Sequence, residues 1–275
     1  MQSGKTVQAS PSIEGTAADR QRGLYVYCIA DGGQEVRLGP IGIDGREVYS
    51  VPYREVCAVA HDCPAQPYQS TELQTVEGWV MAHQRVVDAA WERWGTVLPL
   101  AFDTVVQGRG DGGPREGVGD WLAGEYENLK RKLEAVRGKA EYGVQLFWEP
   151  RTVARDIAAK SEEIRRLEEE IRSKPRGLAY MYRQRLENIL KREMEAKADR
   201  CSKDFYHLVK KHICDLKVEK AKRADDDRQM IMNLSCLVYR DKVSDLGEAL
   251  VSIAEMEGFS VRFTGPWPPY SFVSG

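Results

Sequence analysis

A chain of 275 residues with 42% apolar and 30% charged side chains has the composition of a globular protein long enough for two domains, with a charge excess that calls for a long solvated surface. A formal net charge of -2 and a pI near 6.2 exclude a global basic footprint for nucleic acid or for an anionic lipid membrane. No stretch is long and apolar enough to span a bilayer and the first twenty residues lack the apolar core of a secretory signal, so a cytoplasmic protein is expected.

Residues 1–22, rich in Ser, Thr, Gln, Gly and Ala without periodicity, read as a disordered leader. Leu24-Tyr-Val-Tyr-Cys-Ile-Ala30, aromatic and β-branched between Gly23 and Asp31-Gly32-Gly33, has the pattern of a buried central strand. Two further strands are expected over 47–53, where Pro52 marks an edge or a bulge, and over 56–61. Residues 71–94 form a helix by the steps of Leu73, Val76, Val80, His83, Val87 and Ala90, closed by Gly95. Residues 96–106 read as one strand with an internal Pro99, and 120–136 as a second helix with Leu122, Tyr126, Leu129 and Leu133 on one stripe. Residues 140–148 alternate as a half-buried strand up to Pro150. This order suits a helix layer on an antiparallel sheet, so the fold class expected is α+β, with a ferredoxin-like domain over 23–150.

The composition then changes. Ile157, Ile164 and Ile171 recur every seven residues with Leu167 between them, and after Pro175-Arg176-Gly177 a second run places Ala179, Tyr182, Leu186, Ile189 and Ala196 at a and d spacing. A helical coiled-coil hairpin over 151–202 follows, its seam broken by Lys160 and Glu193 and its charge runs read as a solvated face. Residues 203–275 are expected to form a C-terminal α+β domain: helix over 204–216, strand over 230–239, helix over 241–257, and a last strand ended at Phe263 by Gly265-Pro266. The tail Gly265-Pro-Trp-Pro-Pro-Tyr270 is stiffened by three prolines and carries Trp267 and Tyr270, which suits a clamp on its own domain, packed across the domain junction.

Motifs for chemistry are sparse. Cys28, Cys57, Cys63, Cys201, Cys214 and Cys236 contain no C-x-x-C pair. Cys57, His61 and Cys63 share one strand face, which leaves a thiol- or metal-dependent enzyme, with His83 as a further participant, as the alternative to buried structural roles. Gly108-Arg-Gly-Asp-Gly-Gly113 matches a dinucleotide fingerprint by letter, but the following residues to Gly119 read as loop rather than as the helix start a pyrophosphate needs. Asp225-Asp-Asp227 lacks the ligand alternation of a calcium loop. An RNA-binding module is a third reading, through strand aromatics Tyr25, Tyr27, Phe147 and Trp148, although no RNP-type run accompanies them.

From residue 23 to 273 the chain resembles the gas vesicle protein F/L family (GvpF/GvpL). The resemblance rests on Leu24-Tyr-Val-Tyr27, Val51-Pro-Tyr53 with Ala58-Val59, His83 with Val86-Val87, Thr96-Val-Leu-Pro-Leu-Ala-Phe-Asp-Thr-Val105, Gly143-Val144, Gly177 with Ala179-Tyr180, and Gly265-Pro-Trp-Pro-Pro-Tyr-Ser-Phe-Val273. Ala101 stands where members commonly carry Arg, and Asp103 where they commonly carry Gly. The resemblance implies a non-enzymatic accessory protein, without cofactor or metal, that binds the shell protein GvpA and other accessory proteins during nucleation and assembly of the gas vesicle. It marks Tyr25, Tyr27, Leu98, Pro99, Phe102, Gly265, Pro266, Trp267, Pro268, Pro269 and Tyr270 as structural or interaction candidates.

Overall fold

The computed structural model describes residues 22–108, 112–221 and 227–273. Leader residues 1–21, part of the glycine run and Asp225-Asp226 therefore lie outside the described residues, whereas Arg22, read as the end of the leader, is the first residue of a strand. The chain is α+β, with two antiparallel sheets and seven helices among the described residues, and it divides into two units at Arg137 and Gly138.

In the first unit β1 (Arg22–Ala30) is the centre, and Leu24 to Ala30 have no solvent exposure. Such a run, apolar without alternation, demands cover on both faces, and α1 (Leu73–Trp94) and α2 (Pro114–Val136) both pack on it. The sheet runs β2 (Arg37–Gly39), β3 (Val48–Tyr53), β4 (Val56–Pro64), β1, β5 (Val97–Pro99), and β6 (Val105–Gln107) also pairs with β1. Pro52 lies beyond the reach of the short β2, so its missing N–H leaves no ladder bond unmade, as an edge position requires.

Three expectations change here. The single strand over 96–106 is two strands, because Leu100 to Thr104 arch away between β5 and β6 while Leu100 N–H and Thr104 C=O still bond to Tyr27 and Val26 of β1. The second helix starts at Pro114, at the first helical position where its lost N–H costs nothing, and not at 120. The glycines thus do run straight into a helix, yet every strand pairing in this sheet is antiparallel, so the parallel βαβ unit of a dinucleotide site is not formed. Finally, 140–148 does not belong to this unit: β7 (Lys139–Trp148) pairs with β9 and β10 of the second sheet.

In the second unit the sheet order is β10 (Phe259–Trp267), β7, β9 (Gln229–Tyr239), β8 (Asp215–Val218). Between β7 and β8 run α3 (Pro150–Lys160), α4 (Glu162–Ser173) and α5 (Arg176–Lys210), and between β9 and β10 lies α6 (Val243–Ala254). This unit thus runs strand–helix–strand–strand–helix–strand, with the hairpin in its first crossover. The first unit instead begins with four strands before its first helix.

The hairpin seam closes as its heptads require. Ile164, Leu167 and Ile189 are buried, with Ile157, Tyr182 and Leu186 packed around them. Ser161 divides the first arm, its hydroxyl accepting from Ile164 N–H as the cap of α4, and Lys160 at the break is solvated in an ion pair with Asp156. α5 runs unbroken to Lys210 and carries Phe205 and Val209 onto the second core, so the helix expected over 204–216 is its end, and 215–218 is strand.

Candidate functional site

The marked residues fall into two sets, one in each unit. In the first, Tyr25 and Tyr27 are wholly buried, their rings 4.8 Å apart, and Phe102 closes on Tyr25 and on His83 at 6.1 and 6.0 Å between ring centres. Leu98 and Pro99 sit opposite Ile29 and Cys28 and seal the adjoining strand. Burial removes Tyr25 and Tyr27 as stacking platforms for RNA bases, and Trp148 is buried as well.

The polar tips of this cluster fix one another. Tyr25 Oη accepts from Asp103 N–H at 3.0 Å and shares a hydrogen bond with His83 Nδ1 at 2.8 Å. Tyr27 Oη accepts from Ile43 N–H at 2.9 Å and shares a hydrogen bond with His61 Nδ1 at 2.8 Å. The other ring nitrogen of His61, Nε2, bonds to Tyr68 Oη at 3.0 Å, so the imidazole links two tyrosine hydroxyls. His83 Nε2 has no hydrogen bond of ordinary geometry, although the Leu100 carbonyl is near enough to raise its basicity slightly against the larger effect of burial.

Burial pulls both histidines down to about 4, and it pushes the tyrosine hydroxyls and the thiols up, Cys57 to about 12 and Cys63 to about 11. At neutral pH the rings are uncharged and the thiols protonated. Cys57 meets Ala30 and Ser50, whereas His61 meets Tyr27 and Tyr68 and Cys63 lies by Tyr25, so Cys57 does not join the other two. Among the described residues no group of three or more His, Cys, Asp and Glu is placed to hold a metal ion.

Asp103 has φ of +69°, the left-handed region that glycine occupies freely and aspartate tolerates. Its carboxylate accepts from Tyr68 N–H at 2.9 Å, a tie to the Tyr68 loop that a glycine at this position could not make. Tyr68, which joins the His61 bond and an edge contact to Trp79, was not a sequence candidate. Its signal was faint, an aromatic in a proline-bounded loop.

In the second unit the tail folds back on its own sheet. β10 continues past the expected stop to Trp267, with a bulge between Thr264 and Trp267 against β7. Gly265 has φ of +119°, and a Cβ there would lie 2.8 Å from the Glu141 carbonyl, so only glycine fits. Pro268 and Pro269 are buried, and the chain then turns into α7 (Tyr270–Val273) instead of staying extended. Glu141 receives both the N–H and the hydroxyl of Ser271, at 2.7 and 2.6 Å. Trp267 is 41% exposed.

The first unit also has a cleft of about 660 Å³ lined by Asp31, Gly32, Arg54, Trp94 and Lys130 among others. Its charges are largely occupied with one another: Lys130 bridges Asp31 and Glu55, and Arg137 holds Asp31 at 2.7 Å.

The family description "Gas vesicle synthesis protein GvpL/GvpF" matches residues 23–274. The chain belongs to the GvpL/GvpF family. It is 32% identical over 279 residues to gas vesicle protein L1 of Halobacterium salinarum, covering 96% of each chain, and 26% identical to gas vesicle protein F2 of the same organism over 91% of each. The crystal structure of gas vesicle protein GvpF from Anabaena sp. PCC7120 superposes with a TM-score of 0.71 at 18% identity, over 92% of this chain and 98% of that one, which shows a GvpF-like fold. Among the described residues no helix is long and apolar enough to cross a membrane.

Proposed function

We propose that this GvpL/GvpF member is a non-catalytic accessory protein of gas vesicle formation. It binds the shell protein GvpA and other accessory proteins during nucleation and assembly, in the cytoplasm and in association with the vesicle. The observation that carries this reading is the family match across 23–274, nearly the whole described chain. The chemistry of the buried groups supports it, since the Tyr–His cluster holds neutral rings away from solvent and its thiols are protonated.

The contact is made by surface. On α1, His83, Val86, Val87 and Ala90 are buried, whereas Leu73, Val80 and Met81 are exposed by 73%, 45% and 63%. Leu73, Val80 and Met81 stand seven and eight residues apart on one helical side. A shell subunit that must face gas is aggregation-prone before assembly, and a partner that transiently covers its apolar surface suppresses that.

Co-purification of GvpA with the full-length chain from vesicle-forming cells tests the reading. Wild-type protein should retain GvpA, and the double variant Leu73→Glu/Met81→Glu should lose it while keeping its melting temperature. Absence of GvpA from the wild-type preparation would overturn the proposal.

A further inference from the structure

Two stripes run along the first half of α5. One, Ala179, Tyr182, Leu186 and Ile189, closes on α4. The other is displaced by one residue, Leu178, Met181, Arg185, Asn188 and Arg192, and it too advances in alternating steps of three and four. It is turned to solvent. Leu178 is 51% and Met181 65% exposed, and a groove of about 460 Å³ along this side is lined by Met181, Gln184, Arg185, Asn188, Ile189 and Arg192.

The charge around the stripe is one-sided. Residues 172–192 hold seven Lys or Arg and one carboxylate, Glu187. The carboxylates nearest the groove do little to neutralise it, since Glu163 is 3.9 Å from Arg185 and Glu193 is 3.8 Å from Arg192, long distances on an exposed surface.

The geometry points to a docking groove for an acidic amphipathic α-helix of a partner protein. Its apolar residues, at steps of three and four, lie on Leu178, Met181 and the rim of Ile189, and its flanking carboxylates meet Arg185 and Arg192. Charge decides against a second copy of this chain: laid antiparallel on the same stripe, two copies bring Arg185 onto Arg185, and the stripe itself carries no carboxylate. A nucleic-acid backbone would pair the cations but leave Leu178 and Met181 against water. A lipid surface needs a long apolar face, whereas the exposed apolar residues here, Leu178, Tyr180 and Met181, give way within a turn to Gln184, Arg185 and Asn188. The groove belongs to the second unit, whereas the α1 surface proposed for the shell protein belongs to the first.

The test uses the full chain and two fluorescein-labelled synthetic helical peptides, with Leu at alternating steps of three and four and either Glu or Lys at the flanking positions. Fluorescence anisotropy should show saturable binding of the Glu peptide and roughly tenfold or weaker binding of the Lys peptide, with the difference shrinking as salt is raised. Met181→Glu and Arg185→Glu/Arg192→Glu should each weaken the Glu peptide by about tenfold. All three side chains are exposed or half-exposed, so melting temperatures should not move, and GvpA co-purification should persist. The inference is overturned by absent binding of the Glu peptide or by equal binding of the two peptides. It is also overturned by variants that bind as wild type, by dimerisation lost in the same variants, or by preferential capture of RNA or anionic vesicles through these residues.

Discussion

The buried Tyr–His cluster of the first unit and the helical hairpin of the second are held together by different physics. In the cluster, Tyr25, Tyr27, His61 and His83 are brought from three elements into one enclosed volume, and each buried polar tip depends on a partner distant in sequence. In the hairpin a thin aliphatic seam of Ile164, Leu167 and Ile189 does the packing, and ion pairs such as Arg166 with Glu162 one turn away are local and solvated, with Lys197–Asp156 at 2.8 Å as a part-buried tie between the arms. The contrast teaches where a single change should matter: long-range desolvated partners fail together, whereas local solvated ones fail singly and cheaply.

The largest effect should come from Tyr25→Ala. It removes a ring with no exposure and leaves the Asp103 N–H and His83 Nδ1 without their partner, a loss of about 3–5 kcal/mol that chemical denaturation of the full chain would register. A loss under about 1 kcal/mol would mean the cluster is not the cooperative unit described.

Acid should separate the two regions next. His61 and His83 have folded values near 4, below the ordinary 6.5, so the unfolded chain takes up protons that the fold refuses as pH falls from 6.5 to 4. Stability should drop across that window by roughly 3 kcal/mol per ring, and no further below it. In the hairpin, Lys160 and Lys197 hold Asp156 near 2 against an ordinary 3.8, so the stability it contributes is present above 3.8 and lost only as pH falls from 3.8 towards 2. Hydrogen exchange followed on peptides of each region should show the cluster loosening first.

Ile164→Ala should cost about 2 kcal/mol, near the low end for a core truncation, because a narrow seam can close over the gap. Exchange protection of α4 would report it without disturbing β1. Smallest of all, Arg166→Ala should shift melting by less than about 0.5 kcal/mol, since both partners are more than 70% exposed at the side chain. An effect equal to that of Ile164→Ala would place the hairpin's stability in its surface charges instead of its seam.

Much of this was legible in the residues. The unalternating run 24–30 is β1, the steps around Val87 and Ala90 are the buried side of α1, and the heptads of Ile157, Ile164 and Leu167 are the hairpin seam. Local rules could also place Gly95, whose φ of +72° ends α1. Less was legible of the sites. Tyr25, Tyr27 and Phe102 were singled out, but their bonds to His83, and through His61 to Tyr68, span up to 58 residues of chain and carry no local spacing.

The sequence by itself determined the α+β class, the seam of the hairpin, and the family, because periodicity, turn chemistry and the motif residues are properties of neighbours along the chain. Tertiary structure alone decided to which sheet β7 belongs, since an alternating strand satisfies either partner until its ladder to β9 forms. It decided which unit has the strand–helix–strand–strand–helix–strand order. It also decided that the tail turns at Pro268-Pro269 to bring Ser271 onto Glu141, because a carboxylate 130 residues away selects that turn over the extended chain the prolines favour.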